Sequence, residues 1–179
     1  MIGTNSKSSF EIPTRVLGID PGLRVCGYAC VETDGNREVV VEAGVFRTTY
    51  DLPIELRLDE IALDIETLLN RLAPHVVAVE ELYSHYAHPR TAILMGHARG
   101  VILQKCAGAH VEVRSFAATR IKKSITGNGR ASKEQMQRTI QTILALPELP
   151  SPPDVADAMA AALCCANAID RIMPEKDDV

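Results

Sequence analysis

The stretch RVLGIDPG, residues 15–22, decides how the rest of the chain is interpreted. Its apolar run closed by Pro21 and Gly22 predicts a buried strand from Arg15 to Asp20 that ends in a turn. Asp20 therefore lies at the carboxyl end of that strand. This is the edge at which open α/β sheets tend to form their binding crevice.

Two further β-rich runs follow, residues 26–33 and 38–46, and the letters TDGN between them contain the Asp34-Gly35 pair that favours a hairpin. We therefore expect three sequential antiparallel strands. Leu52 to Leu72 carries apolar residues at positions 58, 61, 65, 68 and 72, which is a helical stripe. Val76 to Glu80 is a second short buried strand.

The second half of the chain predicts a helix over residues 91–107, a strand over 111–114, and a basic turn after Phe116. A helix from about Ser132 to Leu146, a proline-rich connector and a last helix from Asp154 to about Ile172 complete it. The order βββαβαβαα predicts an α/β fold with a mixed five-stranded sheet flanked by helices. We expect one domain over residues 15–172, a disordered leader over 1–14 and an acidic tail over 173–179.

Composition excludes several classes of protein. The chain has 179 residues, a length typical of one domain, and no apolar run approaches the roughly 18 residues of a membrane span. Its five cysteines lie in apolar segments at neither metal-ligand nor disulfide-framework spacings. This pattern indicates reduced thiols and a cytoplasmic protein.

Charge is distributed unevenly along the chain. The net charge is −4, but residues 105–133 hold seven basic residues against one acid and carry +6, which leaves −10 for the remainder. Such a cationic strip on an acidic body could follow a phosphate backbone. The alternative is a set of solvated helix ends and loops.

Four carboxylates occupy positions from which they could converge. Asp20 and Glu80 both end apolar strands, and Asp154 and Asp157 lie three residues apart in the first turn of one helix. Singly, each has a structural explanation as a turn, a solvated strand end or a helix cap. Together they offer the oxygen ligands that Mg²⁺ prefers, and two such ions can promote in-line hydrolysis of a phosphodiester. Without metal, they would repel one another.

Four motifs, in order, resemble those of the RuvC-type junction resolvases. They are GIDPG (18–22), AVEELY (78–83), GHARG (96–100) and DVADAMAAAL (154–163), and the similarity extends from about Arg15 to Ile172. The resemblance implies an RNase H-like fold and a homodimeric, Mg²⁺-dependent endonuclease. Such an enzyme would make paired nicks across a Holliday junction during DNA recombination and repair, with RuvA/RuvB as its branch-migration partner.

The resemblance also assigns roles to residues. It makes the four carboxylates the ligands of two Mg²⁺ ions, for which Mn²⁺ could substitute. Tyr83 matches an aromatic position that stacks on, or wedges at, unpaired bases, and Lys122 and Lys133 match lysines that contact the DNA backbone near the cut. Arg130 is a further candidate DNA-binding residue, beside a loop, residues 127–129, whose glycines would let main chain approach phosphate.

Three other functions remain as alternatives. The first is another RNase H-like nuclease that acts on RNA, of the YqgF type, and the second is a junction-binding protein without catalysis. The third, an actin-like or sugar-kinase ATP-binding module, needs a duplicated second lobe that 179 residues cannot hold. Tyr83 and the lysine pair favour the RuvC type over the first, and the complete carboxylate set argues against the second.

Overall fold

A computed structural model describes residues 13–82 and 89–170 of the chain. Within these ranges it has five strands and five helices. They are β1 Thr14–Asp20, β2 Val25–Thr33, β3 Glu38–Arg47, α1 Ile54–Leu72, β4 Val76–Glu80, α2 Pro89–Gly108, β5 Glu112–Phe116, α3 Ala118–Thr126, α4 Lys133–Ile143 and α5 Pro153–Asp170. β1 begins one residue before the predicted domain boundary. The rest of the predicted leader apart from Pro13, and the acidic tail, lie outside the described residues.

The strands form one mixed sheet in the order β3-β2-β1-β4-β5, which confirms the predicted fold class. β1, β2 and β3 pair antiparallel, whereas β4 pairs parallel with both β1 and β5. The hairpin between β2 and β3 forms as predicted. Its turn is stabilised by Asp34, whose Oδ1 accepts the main-chain N–H groups of Asn36 and Arg37 at 2.8 Å, and Gly35 adopts a positive φ of 86°.

Both faces of the sheet are covered by helices, which explains why residues 16–19 of β1 carry no polar side chain and do not alternate. Leu17 and Ile19 belong to a core cluster shared with α1 and α2. Val16 and Ala78 belong to a second cluster on the opposite face, shared with α3, α4 and α5. None of the helices in the described ranges is long and apolar enough to cross a bilayer.

The segment after Phe116, predicted as a basic turn, is the nine-residue helix α3, so the element order is βββαβαβααα. The helix forms because Ile121 and Ile125, four residues apart, are buried on one side of it. Gly127 ends α3 in a left-handed conformation, and its N–H donates to the carbonyl oxygen of Lys123. Two apolar residues among basic ones gave too weak a periodicity for this helix to be predicted.

Helix α5 lies directly on the centre of the sheet. A methyl group built on Gly18 would overlap the main-chain oxygen of Ala158, and one built on Gly27 would overlap that of Asp154. Only glycine permits so close an approach of helix to strand. Since Gly27 pairs with Asp20 across β1 and β2, the first turn of α5 lies over the carboxyl end of β1.

Candidate active site

Asp20 and Glu80 are neighbours at one edge of the sheet. β1 and β4 run parallel with Ile19 paired to Val79, so the next residue of each strand is a carboxylate. Adjacent strands lie about 4.8 Å apart, and alternate side chains share a face. Because Val16 and Ala78 face α5, Asp20 and Glu80 face it too.

Helix α5 brings the other two carboxylates to the same edge. Asp154 is in its first turn, with its main chain against Gly27, and Asp157 follows three residues later on the same helix face. Both add negative charge around Asp20, and Asp157 does the same around Glu80. The structure thus brings together all four carboxylates that the sequence singled out.

The site places several carboxylates close together, and Asp20 and Glu80 are partly buried. Burial, followed by the charges of Asp157, Glu80 and Asp154, raises the pKa of Asp20 to about 7. Burial and the charge of Asp157 also raise the pKa of Glu80, against the opposing effect of two lysines. Since such carboxylates favour protonation unless a cation is near, the site is suited to binding a cation.

The two predicted lysines lie beside this cluster. Lys133, the first residue of α4, places Nζ 3.3 Å from Oδ2 of Asp157, and that carboxylate is the main cause of its raised pKa. The Lys133 side chain is 75% exposed and is therefore open to a ligand from solvent. Lys122, on α3, acts electrostatically on Glu80. Each lysine thus lies close to a carboxylate and not on a remote surface.

Arg130 and Tyr83 are the other two residues predicted to contact DNA. Arg130 is exposed in the loop between α3 and α4, where its main-chain N–H donates to Oδ1 of Asn128 at 2.9 Å. Tyr83 lies outside the described residues, so its predicted role at unpaired bases stays a prediction.

The donor set fits a hard divalent cation in its chemistry, because it consists of carboxylate oxygens only. In the present side-chain arrangement, however, no three histidine, cysteine, aspartate or glutamate side chains of the described part of the chain form a group able to hold a metal ion. Lys133 provides the positive charge next to Asp157.

Two residues at the ends of β4 and β5 were not singled out individually by the sequence analysis. Arg99, on α2, donates from Nη2 to Oγ of Ser115 at 2.7 Å and from Nε to the main-chain oxygen of Glu80 at 3.3 Å. The sequence offered two signals: Arg99 belongs to the GHARG motif, and it is a charged residue between the apolar Ala98 and Ile102 on a helix. Both of these neighbours are fully buried.

Comparison with known proteins identifies the family. Residues 16–165 match the family model described as crossover junction endodeoxyribonuclease RuvC. The chain belongs to the RuvC family. The RuvC protein of Rhodopirellula baltica is 48% identical over 149 residues, which cover 83% of this chain and 84% of that protein. The RuvC protein of Caldicellulosiruptor saccharolyticus is 37% identical over 166 residues, 92% of this chain and 99% of that protein.

Solved structures support the same assignment. Thermus thermophilus RuvC in complex with a Holliday junction substrate is 31% identical, with a TM-score of 0.83 over 88% of this chain and 96% of that one. The yeast mitochondrial Holliday junction resolvase Ydc2, at 15% identity and a TM-score of 0.64, shares the fold. The RuvC resemblance and the RNase H-like fold predicted from the sequence are both confirmed.

Proposed function

We propose that this protein is a DNA endonuclease that resolves four-way junctions by paired, symmetric nicks in recombination and repair. The observation that carries the proposal is the convergence of Asp20, Glu80, Asp154 and Asp157 at one edge of the sheet. This is supported by membership of the RuvC family and by likeness to a RuvC protein bound to a Holliday junction.

We further propose that the four carboxylates hold two Mg²⁺ ions, with Mn²⁺ as a substitute. When bound, such ions activate water and stabilise the leaving oxygen of an in-line displacement. The protein contributes a partly buried site in which the charges of Asp20 and Glu80 are weakly screened. In-line attack that expels the 3′ oxygen leaves 5′-phosphate and 3′-hydroxyl ends, which a ligase can seal.

The basic residues around the carboxylates would hold the DNA. Lys122 and Lys133 are close enough to the carboxylates to contact the phosphates on either side of the bond that is cut. Contact with phosphate would also draw Lys133 away from Asp157 and leave that carboxylate for a metal. Tyr83 would support an unpaired base at the crossover, and Arg130 would contact the backbone further out.

Paired nicks require two active sites, so we propose a homodimer formed through α2. One stripe of this helix combines Ile93, which is 61% exposed in the single chain, with Gly96 and Gly100. A Cβ built on either glycine would have no neighbour within 4 Å, so a second helix could approach closely there. Ile93→Asp should give a monomer by analytical ultracentrifugation and unpaired nicks; a dimer that still cuts both strands together would contradict this interface.

We also propose that the protein is cytoplasmic and that it works with the RuvA/RuvB motor. All five cysteines are buried, and none of them forms a disulfide. Buried free thiols are typical of a reducing compartment. The motor would supply junctions whose crossover has been moved to a sequence the enzyme can cut.

One assay separates this function from its alternatives. The purified protein is given four-way DNA, linear duplex or RNA/DNA hybrid, with Mg²⁺ or with a chelator, and ligation of the products is tested. We expect ligatable nicks in four-way DNA with Mg²⁺ and uncut, bound junction in chelator. Preferred cleavage of RNA would indicate the YqgF type, and binding without cleavage would indicate a non-catalytic protein. Products with 3′-phosphates would exclude the proposed mechanism.

A further inference from the structure

Arg99 joins helix α2 to the ends of two strands. Its Nε donates to the main-chain oxygen of Glu80, the last residue of β4, at 3.3 Å. Its Nη2 donates to Oγ of Ser115, the penultimate residue of β5, at 2.7 Å. One guanidinium thus spans the carboxyl ends of β4 and β5, and its planar fork fixes both acceptors relative to the helix.

The main chain at Glu80, like that at Asp20, is paired with one neighbouring strand only. Asp20 pairs with Gly27 across β1 and β2, and α5 lies against that pair. The pairing of β1 with β4 stops at Ile19 and Val79, one residue before Glu80. Glu80 pairs with Phe116 on the β5 side, where the N–H of Glu81 donates to the carbonyl oxygen of Phe116 at 2.9 Å, and Arg99 adds a side-chain bond to the carbonyl oxygen of Glu80.

Arg99 does this from the face of the sheet opposite the carboxylates. Phe116 belongs to the core cluster under α5, whereas Val113 packs against the cluster shared with α1 and α2. By alternation along β5, Ser115 therefore faces α2. Arg99 therefore approaches the strand ends from the α2 side of the sheet, whereas the four carboxylates lie on the α5 side.

We propose that Arg99 is a positioning residue that fixes the Glu80 carboxylate through its main chain and so couples α2 to the active site. This inference rests on the proposed nuclease function. It implies that the helix we assign to the dimer interface also sets the geometry of one catalytic carboxylate. Removal of a residue that orients a metal ligand typically lowers metal affinity or activity by about 10- to 100-fold.

The test compares Arg99→Ala with a matched arginine at the other end of the sheet. Arg15 likewise donates to a main-chain oxygen, that of Leu72 at 3.0 Å, and to a side-chain oxygen, that of Glu32 at 2.6 Å. Both variants lose a bridging guanidinium, but only Arg99 lies next to a catalytic carboxylate. Three quantities are measured for each: melting temperature, junction affinity in chelator, and the Mg²⁺ dependence of both melting temperature and single-turnover cleavage.

Arg99→Ala should lower single-turnover cleavage by about 10- to 100-fold and raise the Mg²⁺ concentration needed for half of the thermal stabilisation. Junction affinity in chelator should stay within about twofold of the parent, because Arg99 lies on the other side of the sheet from the carboxylates. Arg99→Lys, which keeps the charge and can reach one acceptor, should recover part of the cleavage. Arg15→Ala should melt lower but keep the parent's cleavage rate and Mg²⁺ requirement.

Equal effects of Arg99→Ala and Arg15→Ala on cleavage and Mg²⁺ requirement would overturn the inference and leave Arg99 a structural residue. If Arg99→Ala does not fold, Arg99→Lys and Ser115→Ala replace it in the same comparison with the same expected direction. A parent protein that cuts no junction would instead overturn the proposed function, so the two failures are distinguishable.

Discussion

Asp20→Asn should stabilise the metal-free protein at neutral and alkaline pH. Burial and the three neighbouring carboxylates raise the pKa of Asp20 from its usual 3.8 to about 7. A pKa shift of one unit corresponds to about 1.4 kcal/mol, so ionised Asp20 costs the folded state at most about 4 kcal/mol. An uncharged amide of the same size removes that cost, which already includes the repulsion between Asp20 and Glu80.

The sign follows from the protons held by each state. Between about pH 4 and pH 7 the unfolded chain has lost the Asp20 proton while the folded chain still holds it. The free energy of unfolding therefore decreases as pH rises through this window. Asp20→Asn removes the contribution of Asp20 to this decrease. At about pH 8 in chelator, the full 4 kcal/mol would raise the melting temperature by roughly 8–16 °C for a chain of this length.

The measurement is a set of melting curves in chelator at about pH 4, 6 and 8 for the parent, Asp20→Asn and Asp157→Asn. Asp157 is the control because it already has Lys133 at 3.3 Å and its side chain is 32% exposed. Its neutralisation relieves repulsion but removes the ion pair, so a smaller gain is expected. Mg²⁺ should then stabilise the parent more than Asp20→Asn. The reasoning is refuted if Asp20→Asn melts below the parent at pH 8, or if the difference between them does not vary with pH.

Three other predictions address DNA binding and the packing of α5. Lys122→Ala and Lys133→Ala should each weaken cleavage and reduce the salt dependence of junction binding by roughly one unit of slope; unchanged slopes and rates would make them surface lysines. Tyr83→Ala should impair cleavage of an intact junction far more than of one with bases already unpaired at the crossover, and equal losses in parallel assays would remove its proposed role. Gly18→Ala should destabilise the protein by about 1–3 kcal/mol or more in denaturant titrations, because its methyl group would overlap Ala158; an unchanged midpoint would show that α5 can move away at no cost.

The sequence by itself determined the strands and the identity of the carboxylates. β4 was predicted with its observed bounds, and β1 to within one residue, because a short apolar run closed by a turn or an acidic residue is a local signal. The β2–β3 hairpin was equally local, since Asp34 and Gly35 make the turn with their own immediate neighbours. Asp154 and Asp157 share a face through helical spacing alone.

Only the tertiary structure decided how the charge of the site is distributed and how the site is supported. Helix α3 depends on burial of Ile121 and Ile125 against elements that are distant in sequence. Burial raises the pKa values of Asp20 and Glu80. Asp157 instead forms an ion pair with Lys133, which is 24 residues away in sequence. The link from Arg99 to the end of β4 likewise joins three separate elements. Burial and pairing between such residues are set by distances across the folded chain, and no local pattern of residues encodes those distances.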